Sequence, residues 1–117
     1  LLNNESPDVY DGGKQIRCFT YISDAIDGMI FAATSKEAIG HAFNIGSETK
    51  TTIEEVINIC RGHINEDINF YRIDTKIKYG SVYQDIDIRV PDSSKAKRIL
   101  NWTTKIELDE GIRKTIE

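Results

Sequence analysis

The stretch Asp11-Gly-Gly-Lys-Gln-Ile-Arg17-Cys-Phe-Thr-Tyr-Ile-Ser-Asp24 restricts the possible folds more than any other part of this chain. Two adjacent glycines favour a turn, because glycine enters left-handed backbone conformations at little cost and weakens any helix or strand that contains it. The β-formers of residues 16–22 then predict a strand that carries Arg17 at its start. Ser23 supplies an N-cap, and Asp24 a charge that complements the helix dipole. Behind them Ile22, Ile26, Met29, Ile30 and Ala33 share one face of a helix that runs to about residue 35. A turn, a strand and a helix in this order suit an α/β chain.

The remaining segments continue the alternation. His41-Ala-Phe-Asn-Ile-Gly-Ser47 predicts a strand closed by Gly46, with parallel pairing as the default after a helix. Thr52-Ile-Glu-Glu55 is a capping box, in which the threonine hydroxyl and the glutamate satisfy each other's backbone N–H groups. Its helix carries Ile53, Val56, Ile57, Cys60 and Ile64 on one side, with Gly62 as the expected terminator. Val9 and Tyr10, and later residues 68–73, predict further short strands. Residues 74–90 read as an irregular loop of a length usually reserved for function or disorder. Asp92 or Ser93 caps a third helix with Ala96, Ile99 and Leu100 inward, and Leu108, Ile112 and Ile116 mark a fourth. The expected fold is therefore α/β, short strands with about four helices.

Bulk properties exclude several classes. Fifteen basic against nineteen acidic residues give a net charge of −4, so no basic field draws the chain to nucleic acid. No apolar run approaches the ~20 residues of a membrane span and no signal-peptide pattern opens the chain, so the expected setting is cytoplasmic. Cys18 and Cys60 lack CxxC spacing and are expected to be reduced thiols, a disulfide being disfavoured. His41 and His63 have no partners at ligand spacing, so no metal is expected. The chain opens on Leu1 and stops at Glu117 within a helical pattern, and is expected to be a piece of a longer protein, with residues 1–117 as one functional portion.

Chemistry is concentrated in a few residues. Arg17 and Arg89 each sit in an extended segment beside turn residues and aromatics. They are either solvated surface arginines or a pair of planar, bidentate donors for an anionic ligand such as a diphosphate. Asp85 and Asp87 are a possible acid/base pair, or solvated groups that orient Arg89. Asn44 is either a turn asparagine or an amide donor at the end of a strand. Tyr10-Asp-Gly-Gly-Lys14 has the Tyr-x-x-x-Lys spacing of a dehydrogenase catalytic pair, but two glycines costing ~1 kcal/mol each cannot hold the helical turn that such a pair needs. There is no GxGxxG and no Walker A sequence.

The order of the motifs is more specific than any one of them. Gly-Gly-Lys-Gln-Ile-Arg17-Cys-Phe-Thr-Tyr-Ile-Ser-Asp, Phe-Asn44-Ile-Gly-Ser, Thr-Ile-Glu-Glu, Arg89-Val-Pro-Asp-Ser-Ser-Lys-Ala-Lys and Leu-Asn-Trp together resemble the carboxyl-terminal part of an extended short-chain dehydrogenase/reductase, in the NAD-dependent epimerase/dehydratase family acting on nucleotide sugars. The resemblance covers roughly residues 8–117. Within the family, the loop Tyr79-Gly80-Ser-Val-Tyr83-Gln-Asp85 followed by Arg89 and Pro91 is most similar to UDP-glucuronic acid decarboxylases, with a nucleotide-sugar 4-epimerase or 4,6-dehydratase, or a non-catalytic nucleotide-binding relative, as the alternatives. The resemblance implies NAD bound by a Rossmann part that this sequence lacks, a UDP-sugar substrate, a 4-keto intermediate, and a homodimeric or larger parent protein. It also implies that Arg17, Arg89, Tyr83 and Asn44 bind substrate, with Arg89 the residue that takes a part in catalysis.

Overall fold

The computed structural model describes residues 1–80 and 86–117. The chain divides into two compact units. The first comprises residues 1–17, 51–89 and 112–117, and the second residues 18–50 and 90–111. The chain passes from the first unit to the second directly after Arg17, and again directly after Arg89.

In the first unit, β1 (Asp8–Tyr10) leads into a single 3₁₀ turn over Asp11–Gly13 and then β2 (Ile16–Arg17). Later come β3 (Thr51–Thr52), α2 (Ile53–Ile64), β4 (Tyr71–Ile73) and α3 (Thr75–Tyr79). β1 and β4 pair in parallel, Val9 opposite Arg72, while β2 and β3 pair antiparallel, Ile16 opposite Thr52. The capping box forms as expected: the Thr52 hydroxyl accepts from the Glu55 N–H at 3.2 Å, and the Glu55 carboxylate accepts from the Thr52 N–H at 2.7 Å. α2 continues through Gly62, which is helical rather than a left-handed terminator, and ends at Ile64 with the extended Asn65 as C-cap. Val9, Ile57 and Ile68 are the buried apolar residues of this unit.

The turn after β1 shows why its glycines are needed. Asp11, Gly12 and Gly13 have φ of 48°, 69° and 70°, three consecutive left-handed residues. A Cβ on Gly13 would lie 2.9 Å from the Glu54 backbone nitrogen and 2.9 Å from a Val9 methyl. Asp11 accepts the left-handed conformation because its carboxylate is tied down. It receives the Thr75 N–H at 3.0 Å and the Thr75 hydroxyl at 2.7 Å, so the turn closes on the start of α3. These bonds hold the Asp11 carboxyl below the usual value of 3.8, the Thr75 hydroxyl contributing most. A depressed carboxylate stabilises the fold above its unfolded pKa, and that contribution is lost as the pH falls through the folded value. Asp11→Asn is therefore expected to flatten the acid limb of the stability profile below about pH 4, as read by far-UV circular dichroism. An unchanged acid limb would contradict the tie.

In the second unit, α1 (Ile22–Thr34) is followed by a 3₁₀ turn at Lys36–Ala38 and, after residues 90–93, by α4 (Ser94–Leu100). α5 (Leu108–Ile116) begins in this unit and ends in the first. Ala38, Ala96, Leu100 and Trp102 form its core, with Ala32, Phe43, Ile45 and Ile99 packed against them. Asn101 ends α4 in the left-handed conformation and turns Trp102 inward, so that 2 % of it remains exposed.

Several expectations change. α1 starts two residues earlier than Ser23 implied, with Tyr21 as N-cap, and Asp24 is buried in its first turn. The Asp24 carboxylate accepts the backbone N–H groups of Lys105 and Ile106 at 2.8 and 3.0 Å, so it anchors a loop as well as complementing a dipole. The apolar stripe read from the sequence is real but faces outward, and the buried side of the helix is Asp24, Gly28 and Ala32. Residues 41–47 form no strand, and residues 16–22 only a two-residue one. The irregular stretch contains α3, capped by the Asp74 carboxylate on the Lys76 N–H. That makes five α-helices among the described residues. No described helix is long and apolar enough to cross a membrane.

Candidate ligand site

The first unit brings the segments that carry Arg17 and Arg89 side by side. β2 pairs with β3 on one side and on the other meets Ile88 through a parallel bridge to Ile16. The Ile16 N–H donates to the Asp87 carbonyl at 2.7 Å, and the Arg89 N–H donates to the Ile16 carbonyl at 3.1 Å. Each arginine is thus the residue next along from a bridge partner. In parallel strands, residues in register point to the same side, so the two guanidinium groups share one side of this small sheet. Arg17 is half-buried. Its Nη1 donates to the Ile16 carbonyl at 2.9 Å and reaches the Asp87 carbonyl at 3.5 Å, which fixes the long side chain before any ligand arrives. Arg89 is exposed.

Beside β2 lies a cleft of about 920 Å³ lined by Asp11, Gly12, Lys14, Gln15, residues 72–76 and Asp87. Its volume lies in the range of small-molecule sites. Gln15 is 8 % exposed and its amide donates to the Tyr10 carbonyl at 3.1 Å. Arg72 donates to the Gly12 carbonyl at 3.3 Å and to Glu54 at 2.8 Å, and stacks on Phe70. Asp87 lines this cleft and gives its carbonyl to the bridge. Its partner in the acid/base reading, Asp85, lies outside the described residues.

Tyr10 and Lys14 do not share a helix; the lysine on Tyr10 is Lys78, which donates to its hydroxyl at 2.6 Å. That bond lowers the Tyr10 pKa and raises that of Lys78. Asn44 belongs to the second unit, where its amide donates to the Asp92 carbonyl at 3.1 Å. Tyr83 lies outside the described residues. Among the described residues no group of three or more His, Cys, Asp and Glu side chains is placed to hold a metal. Cys18 and Cys60 are free thiols whose pKa values are pushed up chiefly by burial.

The sequence singled out neither Gln15 nor Arg72 and Thr75, although all three line the cleft. Gln15 stood inside the leading motif, and its place two residues before Arg17 on a short strand was the available signal. Arg72 and Thr75 carried none, because β4 reaches the site only through its pairing with β1.

This fold is that of an extended short-chain dehydrogenase/reductase. Residues 1–115 match the family described as GDP-mannose 4,6 dehydratase, and the chain belongs to that family. A UDP-N-acetyl-alpha-D-glucosaminuronate decarboxylase of Bacillus cytotoxicus is 32% identical over 109 residues, 93% of this chain and 34% of that protein. The crystal structure of Pal from Bacillus thuringiensis is 30% identical with a TM-score of 0.83, over 98% of this chain and 34% of that one. UDP-glucuronic acid 4-epimerase from Bacillus cereus, in complex with UDP-glucuronic acid and NAD, is 26% identical with a TM-score of 0.77 over 95% and 34%. The chain spans about a third of the length of these relatives.

Proposed function

We propose that this chain is the UDP-sugar-binding portion of a cytoplasmic, homodimeric or larger, NAD-dependent enzyme that decarboxylates UDP-glucuronate through a 4-keto intermediate. The observation that carries the binding role is the Ile16–Ile88 bridge, which sets Arg17 and Arg89 in register; neither arginine lines the neighbouring cleft, but Gln15 and Asp87 beside them do. Two guanidinium groups on one side of this bridge can each give bidentate bonds to a diphosphate. Held in this way, the sugar is oriented for reaction, and orientation supplies much of an enzyme's rate. Tyr83 and Asn44 join the arginines in substrate binding, and Arg89 takes a part in catalysis.

The residues of this chain do not suit NAD itself. Among the described residues no glycine-rich turn leads from a strand into a helix; Gly12 and Gly13 lead into β2 instead. The dinucleotide, which supplies hydride transfer when bound, therefore falls to a part of the enzyme outside this chain. Decarboxylation is favoured by the name of the 32% identical relative, together with the motif from Tyr79 to Pro91. The 26% identical UDP-glucuronic acid 4-epimerase supports 4-epimerisation as the second reading. Supplying UDP-glucuronate to the full-length enzyme separates the two. Release of CO₂ with a pentose product is expected, and UDP-galacturonate without CO₂ would establish the epimerase instead.

The clamp has its own test. Losing a charge-assisted hydrogen bond costs ~1.5–3 kcal/mol, about 10- to 150-fold in affinity. Arg17→Ala is expected to weaken UDP binding by that factor. Arg89→Ala is expected to lower the turnover number as well, and a change confined to KM would leave it a binding residue only.

A further inference from the structure

The second unit has a cavity of its own, lined by residues of that unit alone. It measures about 550 Å³, within the range of small-molecule sites. Its lining includes two buried residues, Trp102 at 2 % and Ser93 at 8 % exposed. Its walls are fixed by hydrogen bonds. The Ser93 N–H donates to the Glu48 carboxylate at 2.7 Å and the Ser93 hydroxyl to the Gly46 carbonyl at 2.7 Å, which ties residues 46–48 to the start of α4. The Ser47 hydroxyl accepts the Thr49 N–H at 3.2 Å, and the Thr20 hydroxyl accepts the Ser47 N–H at 2.8 Å. Walls already held in place lose little freedom when a ligand arrives.

Other polar groups of the lining are uncommitted. The hydroxyls of Thr49, Thr103 and Thr104, the Lys97 ammonium and the second Glu48 oxygen form no hydrogen bond among the described residues. Glu48 and Lys97 line the same cavity yet form no ion pair with each other. We infer that this cavity binds a neutral sugar, whose hydroxyls lie between Glu48 and Lys97. The charges of the lining select this class. An anion would meet the Glu48 carboxylate, and a cation the Lys97 ammonium, so each carries its own repulsion. An apolar body would strip water from all five uncommitted groups and pair none of them. A hydroxyl answers both charges, because it donates to a carboxylate and accepts from an ammonium. Three threonine hydroxyls extend the match to a ligand that carries several such groups. The inference is independent of the arginine clamp, whose residues belong to the other unit.

Saturation-transfer NMR on the full-length enzyme tests it, with UDP in excess so that the clamp is filled throughout. The probes are methyl β-D-glucopyranoside and methyl β-D-galactopyranoside, and D-glucuronate and D-glucosamine are the charged controls. One or both neutral glycosides are expected to bind with a Kd of about 1–10 mM, and the charged controls about tenfold more weakly. Glu48→Gln keeps an acceptor for the Ser93 N–H, and Lys97→Met keeps the aliphatic stem of an exposed side chain. Each is expected to weaken glycoside binding about fivefold or more, with the melting temperature and UDP affinity unchanged. Should Glu48→Gln melt early, Lys97→Met decides alone, since its side chain holds nothing in the fold. No transfer to either glycoside at about 50 mM, or equal binding by parent and variants, would overturn the inference. Tighter binding of a charged control would overturn the assigned class, and loss of the glycoside signal on adding UDP would return the ligand to the clamp.

Discussion

Trp102→Ala is expected to lower the free energy of unfolding by about 3–5 kcal/mol, the usual cost of truncating a large buried aromatic. Trp102 is 2 % exposed and is the largest side chain of the core it forms with Ala38, Ala96 and Leu100, so its removal leaves a cavity there. Its indole Nε1 also donates to the Asp24 carbonyl at 2.9 Å, a buried bond that the variant would lose. The same Asp24 holds the loop at Lys105 and Ile106 through its carboxylate, so the damage spreads from packing to backbone position. Because this is the chain's one tryptophan, unfolding of the variant has to be followed by far-UV circular dichroism rather than fluorescence. A loss under about 1 kcal/mol would mean that the core of the second unit is not built on Trp102.

Gly13→Ala is expected to cost about 2–5 kcal/mol, from ~1–2 for a left-handed alanine and ~1–3 for the overpacked contact. Both terms apply because φ is 70° and because the Glu54 backbone nitrogen, unlike a side chain, cannot swing away from a Cβ at 2.9 Å. Glu54 lies in the first turn of α2, so relief of the clash has to move either that helix or Val9 in β1. The cleft beside β2 would change shape with either movement. Reduced stability together with weakened UDP binding is therefore expected, and a variant as stable as the parent would contradict the described turn.

How far the sequence spoke depended on how local the physics was. The capping box at Thr52 and Glu55 was fully legible, since both of its hydrogen bonds close within four residues. The period of α1 was legible too, but its orientation was not. The stripe of Ile22, Ile26, Met29 and Ile30 gives the apolar face, and only the packing of Gly28 against Ile45 and Trp102 decides which side of the helix is covered. Residues 41–47 have the composition of a strand, yet a strand needs a neighbour, and none stands beside them among the described residues. α3 was missed because five residues with Asp74 as cap carry no apolar period.

The site followed the same rule. Arg17 and Arg89 could be singled out as residue types in extended segments. Their juxtaposition could not, because it depends on the register of Ile16 with Ile88 across more than seventy residues. Gln15, Arg72 and Thr75 belong to the cleft through tertiary pairings alone.

The central claim is that Arg17 and Arg89 act together on one diphosphate. Isothermal titration of UDP into the full-length enzyme, its two single arginine-to-alanine variants and the double variant tests this directly. Each single change is expected to weaken binding by about 10- to 150-fold, and the double change by less than the product of the two, since both arginines bond the same anion. UDP affinity unchanged by either substitution would contradict the clamp.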